Sequence, residues 1–142
     1  MSIQEKQKQI VKSFAHFEDW TDRYKKIISM GKELNPLAEE FKTEQNRVKG
    51  CQSLTWLHAK LEGDKIIYQA DSDAVIVKGL AAILIQVFSV ATPQEIIEAK
   101  TDFLQEIGLT SHLSQSRSNG MASMVKQFKH FAIAFNVLLQ SR

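Results

Sequence analysis

Cysteine is almost absent: the 142 residues contain one, Cys51. A lone thiol rules out an internal disulfide and leaves a reducing cytoplasm as the expected setting. It also falls short of the three or four ligands, mostly thiolates, that an iron–sulfur scaffold takes from one chain. Excess charge is lacking too. Eighteen basic against 16 acidic residues give a net +2, which offers no electrostatic case for nucleic acid or a membrane surface. The longest apolar run, Ala74 to Val90, carries Lys78 and Gln86 and is shorter than the roughly 20 residues that span a bilayer, so it reads as a buried helix. Met1 to Lys8 alternates charge and has no apolar export core. The six glycines are dispersed and form no phosphate-cradling GxGxxG or GxxxxGK[ST] pattern. Four histidines, His16, His58, His112 and His130, lie far apart on different expected elements and lack metal-ligand spacing.

What is present is ordinary globular material, 44% hydrophobic and 24% charged, and its length suits one domain over 1–142 with a genuine core. Ile3, Ile10, Val11 and Phe14 share one face of a first helix. Phe17, Trp20, Tyr24, Ile27, Ile28, Gly31 and Leu34 continue in three-or-four steps as a second, ended by Asn35-Pro36. At that spacing Trp20 and Tyr24 are core residues rather than a ligand-stacking pair. The polar stretch Leu37 to Lys49 reads as a connection with a short strand leading up to Gly50.

The periodicity then changes to two. Gln52 to Leu61 reads as a strand apolar on much of both faces, Glu62-Gly63-Asp64-Lys65 as a tight turn, and Ile66 to Ala70 as the returning strand. Cys51 follows Gly50, a residue type that turns through positive φ without a clash, so it belongs at a bend by the open end of this hairpin. Arg47 and Lys49 lie within four residues, and nearby positive charge favours a reactive thiolate. Two readings stand open on local chemistry: a nucleophile at a loop tip, or an inert small hydrophobe. A cysteine hydrolase would need a base such as His112 and an oxyanion hole, and no signature supports one.

Asp71-Ser72-Asp73 supplies three N-cap candidates before an apolar helix from Ala74 to about Ser89. Gly79 within that helix marks a close approach of another backbone, because a mid-helix glycine is otherwise unfavourable. Thr92-Pro93-Gln94-Glu95 has the pattern of a capping box with proline at the first helical position. A short helix follows it, and another runs from Asp102 to Ile107 and stops at Gly108. Thr110 to Gly120 is expected as a helical turn and a loop, and Met121 to Leu139 as a long final amphipathic helix.

The run Arg47-Val48-Lys49-Gly50-Cys51-Gln52-Ser53-Leu54-Thr55-Trp56 resembles the cysteine motif of the SufE family of sulfur acceptors. Three further blocks resemble that family in order: Trp20 to Lys32, Asp71 to Leu80, and Leu113 to Met121. Together they cover nearly the whole chain. The resemblance implies an α+β fold shared with IscU-type scaffolds, a small antiparallel sheet of about three strands with helices packed on it. It also implies a sulfur carrier rather than an enzyme. Cys51 would take persulfide sulfur from a pyridoxal-phosphate cysteine desulfurase of the SufS type, stimulate it, and pass sulfur to a SufBCD-type iron–sulfur assembly scaffold. Pyridoxal phosphate would belong to the partner, with no cofactor or metal held here. A paralogue type serving a CsdA-type desulfurase and other acceptors carries the same motifs, and a metal or Fe–S binding module is the rival from another class. Gly50 would shape the loop, and Gln52 and Ser53 would either support the sulfur or begin the strand. Asp73 and Arg117 match positions near the family's docking face; as exposed charges they are equally solvated bystanders or, for Asp73, a cap. A monomer and a homodimer both remain open.

Overall fold

The computed structural model describes residues 1–141; Arg142, the last residue of the expected domain, lies outside them. Two helices open the chain, α1 (Ile3–Ala15) and α2 (Trp20–Lys32). A hairpin of β1 (Thr55–Glu62) and β2 (Lys65–Ser72) follows, then α3 (Val75–Phe88), the short α4 (Pro93–Glu98), α5 (Asp102–Ile107) and α6 (Leu109–His112), and the long α7 (Gln115–Gln140). The architecture is α+β, as the family resemblance implies.

At the centre lies α3, whose Leu80, Ala81, Ile83, Leu84, Val87 and Phe88 are fully buried. An apolar run with almost no polar face is stable only when neighbours surround it. The tightest of these contacts is with α2. A Cβ on Gly79 would run into the carbonyl of Ile27, and one on Gly31 would sit 2.6 Å from the Gly79 nitrogen. The close approach expected at Gly79 is therefore a glycine-to-glycine crossing of α2 and α3. On the other side Tyr68 of β2 donates its hydroxyl to the Phe128 carbonyl of α7 at 2.7 Å, and burial pushes its phenol pKa up. The Thr92–Glu95 capping box forms at α4, and Gly108 ends α5 in the left-handed region at φ 96°.

Three expectations change. The sheet has two strands among the described residues, paired antiparallel from Thr55–Ser72 to Glu62–Lys65. The short strand expected before Gly50 is reduced to one isolated bridge, Arg47 with Trp56, because that polar chain contributes little beyond Val48 to the core beside the hairpin; a second bridge, Ile66 with Ala91, joins β2 to the chain after α3. Next, neither Asp71 nor Asp73 caps α3; its N-cap is Ala74 and no side chain caps it. Finally, the expected loop up to Gly120 is already helix from Gln115, capped by the Ser114 hydroxyl on the Arg117 amide.

Candidate functional site

Gly50 holds a positive φ of 83°, and a Cβ there would meet the Ser123 hydroxyl at 2.5 Å. The next residue, Cys51, faces Gly120: a Cβ on Gly120 would lie 3.2 Å from the Cys51 sulfur. Gln52 then accepts a hydrogen bond from the Ser116 hydroxyl at 2.9 Å. Residues 50, 51 and 52 thus pass three successive turns of α7, at 123, 120 and 116. Glycine at 120 is what lets the thiol lie against the helix backbone.

Cys51 is half-buried in a cleft of about 170 Å³ lined by Gln52, Ser53, Ala74, Val77, Ser116, Arg117 and Gly120. Its sulfur lies 3.2 Å from the Ser53 hydroxyl and 3.5 Å from that of Thr55. Thr55 is fully buried and bonds to Ser72 at 2.9 Å. The cleft wall includes the first turns of α3 (Ala74, Val77) and α7 (Ser116, Arg117).

The loop is clamped from below. The Leu54 amide donates to the Asp73 carboxylate at 3.0 Å, and the Asp73 amide donates to the Leu54 carbonyl at 3.0 Å. This replaces the expected capping role: the carboxylate is drawn to an amide 19 residues away, which leaves α3 without a side-chain cap. Asp71 is also diverted, accepting from the amides of Leu37 and Ser72 and pairing with Lys42 and Lys78. Burial would raise its pKa, but the Ser72 and Leu37 amides and the two ammonium groups outweigh it and hold the carboxyl below its ordinary value.

The positive charge expected beside the thiol comes from elsewhere in the chain. Lys49 pairs with Glu44, and neither Arg47 nor Lys49 lines the cleft. Arg117, far downstream, does, and it also sits 5.8 Å over the Tyr24 ring. Trp20 stacks on His112 at 4.5 Å, so that imidazole is engaged with an aromatic partner rather than with Cys51. His58 stacks on Phe41 at 3.8 Å. No histidine lines the Cys51 cleft, and among the described residues no three His, Cys, Asp or Glu side chains gather as a metal site.

A family model described as the SufE Fe-S metabolism associated domain matches residues 8–132. The chain belongs to the SufE family. An uncharacterized SufE-like protein of Synechocystis sp. is 43% identical over 128 residues, 90% of this chain and 80% of the relative. A Rhizobium etli counterpart, also uncharacterized, is 41% identical with 87% of each chain covered. An Arabidopsis thaliana relative named SufE-like protein 1, chloroplastic/mitochondrial, is 38% identical over 93% of this chain but 36% of its own length. The solution structure of a hypothetical protein from Thermus thermophilus superposes with a TM-score of 0.76, covering 91% of this chain and 94% of that one at 21% identity. That likeness bears on the fold alone.

Family membership gives the chain a role in Fe–S metabolism. Within this SufE chain the cleft gathers Cys51, Gln52, Ser53 and Arg117, with Gly50 and Asp73 holding the loop. Ser53 contacts the sulfur and Gln52 turns to Ser116. Neither begins the strand, which starts at Thr55. Thr55 and Gly120 carry no chemistry of their own in the sequence, and Ser72 reads there only as an N-cap candidate, not as a partner of Thr55. The one signal for Thr55 is a polar residue at a position of β1 that shares its face with Leu57 and Ala59.

Proposed function

We propose that this SufE protein accepts sulfur on Cys51 from a pyridoxal-phosphate cysteine desulfurase, stimulates that enzyme, and hands the sulfur to an iron–sulfur assembly scaffold of the SufBCD type. The Cys51 thiolate attacks the outer sulfur of the desulfurase persulfide. A new S–S bond forms on Cys51, the old one breaks, and the desulfurase cysteine leaves as thiolate, so no oxidant is needed. The carrying observation is the lone thiol in a cleft of about 170 Å³. Such a cleft is below the roughly 300–1,000 Å³ of small-molecule sites, yet roomy enough for one more sulfur about 2 Å further out. Among the described residues no histidine lines the cleft, which supports a carrier rather than an independent hydrolase, and in this reading the pyridoxal phosphate is the partner's.

In this reading Arg117 at the mouth and Asp73 beneath the loop lie on the docking face. Docking there would displace the loop from α7 and carry the thiol into the desulfurase site, and the reducing cytoplasm keeps it free between rounds. A desulfurase of the CsdA type, with other sulfur acceptors, fits the same geometry. The test is the rate of alanine formation from free cysteine by each desulfurase type, alone and with this chain or its Cys51→Ser variant. Stimulation by the wild type and none by the variant supports the reading. Equal stimulation by both, or none with either enzyme, contradicts it.

A further inference from the structure

Three hydroxyls stand behind the Cys51 sulfur, and an ionised sulfur gives the set a direction. Ser72 Oγ accepts from the Ala74 amide at 3.2 Å, at the start of α3. Its own hydrogen reaches Thr55 Oγ1, 2.9 Å away, when that of Thr55 goes to the Cys51 sulfur at 3.5 Å rather than to Ser53 Oγ at 3.3 Å. Ser53 reaches the same sulfur from 3.2 Å. A thiolate can only accept, so the ionised form lets every hydrogen in the set point one way, toward the sulfur. Chains aligned in this manner strengthen one another where water is excluded, and Thr55 is fully buried. Its place is rigid: Thr55 lies opposite Ser72 in the hairpin register, and its carbonyl accepts from the Val48 amide at 2.8 Å.

We propose that Thr55, supported by Ser72, is a positioning residue for sulfur uptake: its hydroxyl holds the resting Cys51 thiolate retracted against Gly120, ready to attack once docking draws the loop out. The proposal rests on the sulfur-carrier reading for its purpose, but not for its test. Around the sulfur the charged groups are few: Arg117 from α7 lines the cleft, Asp73 holds Leu54 beneath it, and β1 and α3 contribute none to the lining.

The experiment is the rate of iodoacetamide alkylation of Cys51 in the full chain between about pH 5 and 10, a range that brackets the ordinary thiol pKa. It is run without any desulfurase, for wild type, Thr55→Val, Thr55→Ser and Ser72→Ala. Each rate is divided by its own high-pH plateau, which removes differences in access. With the hydroxyl gone, Thr55→Val is expected to move the profile to higher pH and to slow normalised alkylation at pH 7 by about three- to tenfold, the net effect of losing one hydrogen bond of ordinary strength, as suits a contact of 3.5 Å. Thr55→Ser restores the wild-type profile, and Ser72→Ala moves it part of the way. A Thr55→Val profile overlaying the wild type overturns the proposal, as does a Thr55→Ser profile as displaced as that of valine. Should Thr55→Val fail to fold, Ser72→Ala decides alone: a shift upward supports the chain, and none refutes it. Failure of the desulfurase to load Cys51 would sink the carrier reading and leave this result standing.

Discussion

Replacing Gly120 with alanine separates the cleft from the helix that walls it. In the body of α7 glycine is worse than alanine by about 0.5–1 kcal/mol, so the change favours folding unless the new methyl is refused. The methyl would stand 3.2 Å from the Cys51 sulfur and 3.9 Å from its Cβ, touching no backbone of another element. The thiol loop would need to yield by only a few tenths of an ångström, which costs a fraction of that gain. Net stability is therefore expected unchanged or higher by up to about 1 kcal/mol, a rise in Tm of up to roughly 2–5 °C. The loaded state differs, because a second sulfur about 2 Å beyond the first must share a cleft of about 170 Å³ with the methyl. Overpacking of about 1–2 kcal/mol against it reduces persulfide occupancy at limiting desulfurase roughly 5- to 30-fold. The assay is a time course of intact mass beside a thermal melt, with alkylation confirming that the thiol is free. Wild-type loading by Gly120→Ala, or a marked fall in Tm, would refute the reasoning.

Gly79→Ala should behave oppositely, since its methyl meets the Ile27 carbonyl of α2. The expected loss is about 1–3 kcal/mol, read as a lower urea midpoint at unchanged m, and an unchanged midpoint counts against the glycine crossing. Asp73→Ala removes the acceptor of the Leu54 amide, so hydrogen exchange at Leu54 should accelerate while global stability falls by no more than about 1 kcal/mol; unaltered exchange would mean the clamp is idle. Asp71, whose folded pKa is depressed, contributes stability present above its unfolded value and lost as pH falls through the folded one. The fall in Tm below about pH 4 should accordingly be shallower in Asp71→Asn, and parallel curves would contradict the pairing with Lys42 and Lys78.

Much was legible because it depends on near neighbours in sequence. The capping box at Thr92 and Glu95 closes within one turn, and the hairpin strands announce themselves by alternation. Gly79 was readable as a close approach because an unexplained glycine in an apolar helix asks for one. Cys51 stood out as the only thiol, with a glycine before it. What escaped depends on partners far along the chain. Asp73 prefers the amide of Leu54 to those of α3, and Asp71 is taken up by Lys42 and Lys78, so local capping rules misplace both. The cation of the cleft is Arg117 rather than Lys49, because Glu44 engages the latter. The first turns of α7 lack an apolar stripe and read as loop, yet Ser114 caps them and Gln115 bonds to Asn119 one turn on.

The most direct test of the carrier account is the intact mass of the protein after incubation with a SufS-type desulfurase, its pyridoxal phosphate and free cysteine, taken before and after a reductant. The account predicts a gain of one sulfur, roughly 32 Da, on the wild type, as thiolate attack on a persulfide requires. That gain is reversed by the reductant and missing from Cys51→Ser. An unchanged mass with Cys51 shown by alkylation to be accessible, or the same gain on Cys51→Ser, would contradict it.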